Sequence, residues 1–139
     1  MTRVRAEVRR SVIERAGSCC EYCLLSQSDV PFSLHIEHII SIKHGGTSEL
    51  GNLCLSCPAC NEHKGSDVAS FDPITGNLTA LFHPRRHLWA EHFRLNGAVI
   101  EPLTPEGRVT VRILQFNNGE RLAEREPLLR LGRYPCEQG

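Results

Sequence analysis

The chain has 139 residues, a formal net charge of zero, 40% hydrophobic residues and 23% charged residues. This composition is ordinary for a soluble globular protein, and the length suits one compact domain or one domain with an extension. No apolar run approaches the ~20 residues that cross a bilayer, so no membrane partner is expected. The basic N-terminus lacks an apolar signal core, which predicts a cytoplasmic protein.

The charges are distributed unevenly along the chain. Residues 1–15 hold five arginines and two glutamates, residues 16–82 hold two lysines and seven acidic residues, and residues 83–139 hold nine arginines and seven acidic residues. Basic flanks of this kind can meet phosphates, while an acidic centre can hold cations. An ordinary solvated surface explains the same distribution equally well.

The first half of the chain predicts a helix followed by a small ββα unit. Apolar residues recur at four-residue spacing over residues 4–16, which predicts a helix that ends at Gly17. Residues 34–40 have the pattern of a short strand, residues 41–51 form a glycine-containing loop, and residues 59–64 favour a helix.

Turn signals separate short strands and helices in the second half. Asn96-Gly97 is a strong two-residue hairpin signal, and Thr104 followed by Pro105 marks the start of a helix. The predicted elements are a turn at 72–77, a strand at 78–82, a hairpin of 91–95 and 98–101, a helix from Thr104 to about Phe116, and a last helix near 120–131 that Pro127 bends or displaces.

Two cysteine pairs of identical spacing predict a structural metal site. The four residues form two C-x2-C pairs, as in tetrahedral zinc sites with thiolate ligands: Cys20, Cys23, Cys57 and Cys60. Seven cysteines in a chain expected to be cytoplasmic favour metal binding over disulfides. A zinc ion bound here would fold a segment that is too small to have its own core.

The other three cysteines are predicted to be unpaired. Cys19 competes with Cys20 for the zinc, but it would make the first pair C-x3-C and the two pairs unlike. Cys19, Cys54 and Cys136 are therefore interpreted as small buried residues or inert thiols.

The segment between residues 20 and 64 resembles the HNH endonuclease family, in its four-cysteine zinc variant. The resemblance rests on the order of several motifs: the two cysteine pairs, Glu37-His38, Gly45-Gly46, Asn52, Asn61 directly after the second pair, and Lys64. Many family members carry histidine where this chain has Asn61. The family's nuclease core has the ββα-metal fold, which the resemblance implies for this segment.

The predicted fold class is therefore α+β, with two segments. Residues 1–70 are expected to form the zinc-stapled HNH core with its N-terminal helix. Residues 71–139 are expected to form an α+β extension, with a β-hairpin and helices, that packs on this core.

The polar residues between the cysteine pairs suit phosphodiester hydrolysis. Glu37 and Asn61 offer oxygen ligands for a hard divalent ion, which favours Mg²⁺ or Mn²⁺ over softer metals. His38 is expected to be the general base that takes a proton from the attacking water, and base catalysis of this kind contributes roughly 10²–10⁴-fold. Asn52 is predicted to brace the loop that orients His38.

Three basic residues are candidates for contacts with the nucleic-acid backbone. Lys64 lies three residues after Asn61, and a solvated lysine explains it equally well. Arg85 and Arg86 belong to a basic cluster that ends in Trp89, which is interpreted as a core residue.

The sequence thus predicts a metal-dependent HNH endonuclease that cleaves DNA with one catalytic ion, a structural zinc and a histidine base. The motif does not distinguish DNA from RNA, and it says nothing about the oligomeric state. Two alternatives need only the cysteines: a non-catalytic zinc-ribbon module that binds nucleic acid, and a zinc domain that binds a protein partner. Neither alternative explains Glu37, His38 and Asn61.

Overall fold

The computed structural model describes residues 4–137, and its fold class is α+β, as predicted. Residues 1–3 and 138–139, which are the outer ends of the two predicted segments, lie outside the described residues. No helix in the described part of the chain has the length and apolar character to span a bilayer. The elements in chain order are α1 (Ala6–Ala16), β1 (His35–His38), β2 (Leu53–Ser56), α2 (Pro58–Lys64), β3 (Ala69–Phe71), β4 (Leu78–Ala80), α3 (Trp89–His92), β5 (Phe93–Asn96), β6 (Val99–Pro102), α4 (Pro105–Ile113) and α5 (Gly119–Arg130).

The predicted ββα unit is formed by β1, β2 and α2. The two strands pair antiparallel, with Glu37 opposite Cys54. Helix α2 follows β2 at once, because Pro58 occupies its first turn and Cys57 caps it by accepting a bond from the Cys60 amide. In this unit, β2 comes directly before the second cysteine pair and α2 contains the end of that pair. Both elements contact β1.

Helix α1 covers the hairpin of the ββα unit. It begins two residues later than predicted and ends at Ala16, with Gly17 as its C-cap, as predicted. Its buried face contains Val12 and Ala16 and contacts both strands. Arg15, at its last turn, donates hydrogen bonds to the backbone carbonyls of Leu50 and Leu53, which ties the helix to the chain that leads into β2.

The second half contains two more hairpins, β3–β4 and β5–β6, and α4 packs on strands of both. The predicted hairpin at Asn96-Gly97 is present, but its turn is displaced by one residue. Asn96 pairs with Val99, so Gly97 and Ala98 are the turn residues. Gly97 has φ +59°, a conformation that glycine adopts at little cost.

The two C-terminal helices follow the sequence signals at their starts better than at their ends. The Thr104 hydroxyl caps α4 by accepting a bond from the Gly107 amide, as predicted, but α4 ends at Ile113 instead of Phe116. Asn118 caps α5 in the same way, and Pro127 lies within this helix. An exposed proline in the last turns removes one backbone bond without ending the helix.

One hydrophobic core joins the two predicted segments. It contains Val12 and Leu55 of the first segment together with Phe93, Leu114 and Phe116 of the second. Residues 71–137 therefore pack on the ββα unit through apolar side chains, and their packing buries the cysteine cluster from a second side.

A disulfide joins Cys19 to Cys136, and the prediction that both residues are unpaired is wrong. Their Cα atoms lie 5.8 Å apart although 117 positions separate them in sequence. The Cys136 amide also donates to the Leu24 carbonyl, so the C-terminal chain lies along the first cysteine pair. Spacing in the sequence gives no sign of this pairing, because it depends on how the chain end folds back.

Candidate metal and nuclease site

The four predicted zinc ligands come together in one buried cluster. The Sγ atoms of Cys20, Cys23, Cys57 and Cys60 all lie within 4.8 Å of one another, and each side chain is buried. Burial raises the pKa of the Cys20 and Cys60 thiols, so a cation is needed for these sulfurs to become thiolates together. The donor set and its closed surroundings fit a structural zinc ion.

Glu37 lies on β1 with its carboxylate almost completely buried, at 5% exposure. Its Oε2 accepts a hydrogen bond from the Cys54 thiol at 3.4 Å, whereas its Oε1 is buried and has no hydrogen-bond partner among the described residues. Burial raises the pKa of Glu37 to about 7, and the nearby charge of Lys64 and hydrogen bonds from Tyr22 and Cys54 limit the rise. An unpartnered buried carboxylate oxygen of this kind fits a ligand for a hard cation.

His38 follows Glu37 on the same strand but has different neighbours. Its Nε2 lies 2.9 Å from the hydroxyl of Ser48, which belongs to the loop between β1 and β2. Successive residues of a strand point to opposite faces, and the hydrogen bonds of the described residues do not join the His38 ring to Glu37 or Asn61. The ring is half-buried, and Ser48 orients it.

Asn52 connects the end of β1 to the glycine-containing loop. Its Oδ1 accepts a bond from the Ile40 amide, and its Nδ2 donates to the carbonyls of Ile40 and Thr47. Gly46 lies against the same groups: a Cβ there would overlap the Ile40 carbonyl and approach Asn52 Nδ2 to 2.8 Å. Asn52 therefore holds the loop that carries Ser48, and the loop passes close enough to require glycine.

Helix α2 carries Asn61 and Lys64 next to β1. Asn61 is half-buried, and its backbone amide donates to the backbone carbonyl of Cys57. The zinc cluster thus fixes the backbone of Asn61. Lys64 is only 2% exposed, and its Nζ donates to the Ile39 carbonyl at 2.8 Å. This placement differs from the prediction that Lys64 contacts a phosphate, because its ammonium is used inside the fold, where it lowers the pKa of Glu37.

Arg85 and Arg86 have opposite environments despite being neighbours. Arg85 is mostly buried and forms an ion pair with Glu21, and burial lowers the pKa of Arg85 to about 10. The prediction that Arg85 contacts a phosphate therefore conflicts with its pairing inside the fold. Arg86 is exposed, and together with His83 and Ile40 it lines two cavities of about 200 and 280 Å³.

His83 presents a neutral hydrogen-bond donor at these two cavities. Its Nδ1 accepts a bond from the Arg85 amide, so in the neutral ring the proton is on Nε2. Burial, together with the charge of Arg86, lowers the pKa of His83 to about 4, which keeps the ring neutral at physiological pH. The smaller cavity also contains Lys64, and the larger one reaches Gly46 and Asn52.

Several residues at the site carry no signal in the sequence. Ser48 and Tyr22 are common residue types outside the spaced motifs, and Cys54 is one of three cysteines outside the pairs. Arg121, on α5, reaches the zinc cluster from 61 residues away, with its Nη2 2.9 Å from Cys60 Sγ. Only the tertiary fold brings these side chains to the site.

One of the comparisons with known proteins found a match to part of the chain. The family model described as HNH endonuclease matches residues 20–67. The match covers both cysteine pairs, β1, β2 and α2, and it ends just before β3. Searches of curated proteins and of solved structures found no match.

Proposed function

We propose that the protein, whose residues 20–67 match the HNH endonuclease family model, is a metal-dependent endonuclease that hydrolyses phosphodiester bonds in DNA. The observation that carries this proposal is the Glu37 carboxylate, which is buried and keeps one oxygen without a partner. A structural zinc module needs no such group, and burying it lowers stability unless a ligand compensates. The cost is explained if the carboxylate serves a reaction.

Glu37 and Asn61 are the proposed ligands of the catalytic Mg²⁺ or Mn²⁺. They lie on β1 and α2, two elements that are in contact, and both offer oxygen atoms. When bound, the ion would neutralise charge on the phosphate and stabilise the leaving oxygen. Lys64 keeps Glu37 more acidic than burial alone would, so the carboxylate is available to a cation near neutral pH.

His38 is the proposed general base. If Nε2–H donates to the Ser48 hydroxyl, the lone pair on Nδ1 is free to take the proton from the attacking water. With the Ser48 hydroxyl as acceptor, His38 is in the tautomer that can act as a base, and Asn52 holds the loop in which Ser48 lies. These bonds and the family resemblance support the roles proposed for His38 and Asn52.

The substrate strand is proposed to lie along the two cavities lined by His83 and Arg86. The exposed guanidinium of Arg86 and the neutral Nε2–H of His83 both suit phosphate oxygens. Ile40 lines both cavities, and it comes two residues after His38 in the chain. Arg86 remains a proposed contact with DNA, whereas Lys64 and Arg85 are assigned to the interior of the fold.

A plasmid-cleavage assay with a panel of divalent ions tests the function. We expect Mg²⁺- or Mn²⁺-dependent cleavage by the wild type and a loss of roughly 10²–10⁴-fold in His38→Ala. Zinc content and the unfolding midpoint should stay unchanged in that variant, since His38 is not a zinc ligand. Wild-type activity in His38→Ala would remove the catalytic assignment.

The same assay separates the alternatives. Absence of cleavage together with salt-sensitive DNA binding would favour a zinc-ribbon binding module. Absence of both would favour a protein-binding zinc domain. Single-stranded, double-stranded and RNA substrates in parallel reactions identify the nucleic acid that the site accepts.

A further inference from the structure

A buried arginine from the C-terminal helix contacts the zinc cluster directly. Arg121 lies on α5 and is 4% exposed. Its Nη2 is 2.9 Å from Cys60 Sγ and 3.9 Å from Cys57 Sγ. Its Nη1 donates to the Leu114 carbonyl at 2.7 Å, which fixes the direction of the guanidinium plane. One terminal nitrogen of the guanidinium is therefore held by a backbone carbonyl, and the other is held by sulfur.

The charge of the cluster explains why a cation is buried there. A divalent ion with four thiolates carries a net charge of about −2, and charge in a closed site is stabilised only by a nearby partner. Arginine is always protonated in proteins, and Nη2 of Arg121 lies 2.9 Å from Cys60 Sγ. Arg121 therefore stays charged and offsets half of the excess.

We propose that Arg121 is a functional part of the zinc centre, and that it makes zinc retention depend on the C-terminal segment. An N–H donor at the Cys60 sulfur draws electron density from the thiolate and disfavours its protonation when the metal is challenged. Arg121 is thus a positioning and charge-compensating residue, not a ligand. The helix that carries it lies outside the HNH match, which ends at residue 67.

Arg125 provides a matched control on the same helix. It is buried, at 0% exposure against 4% for Arg121, and its guanidinium donates to the Ala98 carbonyl and to Asn117 Oδ1. Within residues 4–137, its hydrogen bonds do not include a cysteine sulfur. Substitution of Arg125 therefore removes a buried arginine from α5 but does not remove a bond to the zinc centre.

The test measures zinc release from the zinc-loaded full-length protein into a chromogenic chelator under native conditions. Loss of a side chain that bonds a metal ligand typically costs 10–100-fold in metal affinity. We expect Arg121→Met to release zinc about tenfold or more faster than the wild type, and Arg121→Lys to fall between them. Arg125→Met should release zinc within about twofold of the wild-type rate, although it lowers the unfolding midpoint.

A spectroscopic readout separates the bond to sulfur from general loosening. In protein loaded with Co²⁺, the sulfur-to-metal charge-transfer band should move to lower energy in Arg121→Met, since the thiolate loses its hydrogen bond, and it should stay in place in Arg125→Met. If Arg121→Met does not fold, Arg121→Lys against Arg125→Met decides the question. Equal release rates and equal band positions in the Arg121 and Arg125 variants would overturn the proposal, whether or not the protein cleaves DNA.

Discussion

At the scale of single residues, the site consists of groups whose neighbours define their chemistry. Glu37 is a carboxylate whose burial favours the protonated form, and His38 is an imidazole whose ring is hydrogen-bonded to one serine hydroxyl. Neither property belongs to the residue type alone. Both can be tested by removing the neighbour or the titrating group and leaving the rest of the side chain in place.

Ser48→Ala should slow cleavage without weakening substrate binding. Without the hydroxyl, His38 loses the partner that holds its ring, so we expect kcat to fall about tenfold with little change in KM. The loss should be smaller than in His38→Ala, which removes the base. Ser41→Ala is the control, because the buried Ser41 hydroxyl lies in the same loop region and has no hydrogen-bond partner in the part of the chain that the structure describes. Equal kcat values in the two serine variants would contradict the role of Ser48.

The stabilisation that a divalent ion gives should depend on pH through Glu37. The folded pKa of about 7 exceeds the ordinary 4.5, so between these values the ion-free folded state binds more protons than the unfolded state. Its stability therefore falls as pH rises from 4.5 to 7. A cation needs the ionised carboxylate, so its apparent affinity should fall about tenfold per pH unit below 7.

Thermal unfolding with and without millimolar Mn²⁺ measures this effect. The ion should raise the wild-type unfolding midpoint more at pH 8 than at pH 6. Glu37→Gln has nearly the same shape but cannot ionise, so it should lose most of the shift and its pH dependence. If Glu37→Gln gained as much from Mn²⁺ as the wild type at every pH, Glu37 would not be the ligand.

At the scale of elements, the sequence predicted what depends on local chemistry. The helix start at Thr104, the hairpin near Gly97 and the short helix after Cys57 all rest on caps, turn residues or proline within a few positions. The end of α4 and the exact turn were less predictable. These depend on tertiary contacts, such as the bonds that Asn117 makes with Ile100.

The loop between β1 and β2 should tolerate alanine at Gly51 but not at Gly46. A Cβ at Gly46 would overlap the Ile40 carbonyl and press on Asn52, whereas a Cβ at Gly51 meets open space. We expect Gly46→Ala to lose about 1–3 kcal/mol of unfolding free energy, and Gly51→Ala to stay within about 0.5 kcal/mol of the wild type. Urea unfolding measures both changes. Cleavage by Gly46→Ala should also fall, and equal stability of the two variants would show that the loop has room to adjust.

At the scale of the whole molecule, the zinc ligands were predictable and their surroundings were not. Cysteines at fixed spacing point to a metal because thiolates need little else to bind zinc. The partners of the cluster come from distant parts of the chain: Arg121 bonds Cys60, and the Tyr134 hydroxyl donates to the Cys23 carbonyl. The disulfide between Cys19 and Cys136 also comes from a distant part of the chain. It was not predicted, because the thiols were expected to be reduced.

Reduction of the Cys19–Cys136 disulfide should destabilise the protein without releasing zinc. The bond closes a loop with a sequence separation of 117, and in the chain-entropy account a loop of about 100 residues is worth at most about 5 kcal/mol. The tail has other anchors, including the bond from Tyr134 to Cys23 and the Arg133–Asp29 ion pair, so the folded arrangement should persist. We therefore expect a clear fall in the unfolding midpoint of the wild type in a phosphine reductant, with zinc still bound.

The control for this prediction is Cys136→Ser, which should unfold at the midpoint of the reduced wild type and should not respond to the reductant. The state of the bond can be checked by alkylation of the unfolded, zinc-free protein, since the oxidised chain offers five free thiols and the reduced chain adds those of Cys19 and Cys136. If the unfolding midpoint of the wild type does not change in the reductant, although alkylation shows that the disulfide is broken, packing alone holds the tail. The disulfide would then contribute nothing measurable to the stability of the zinc centre that the tail covers.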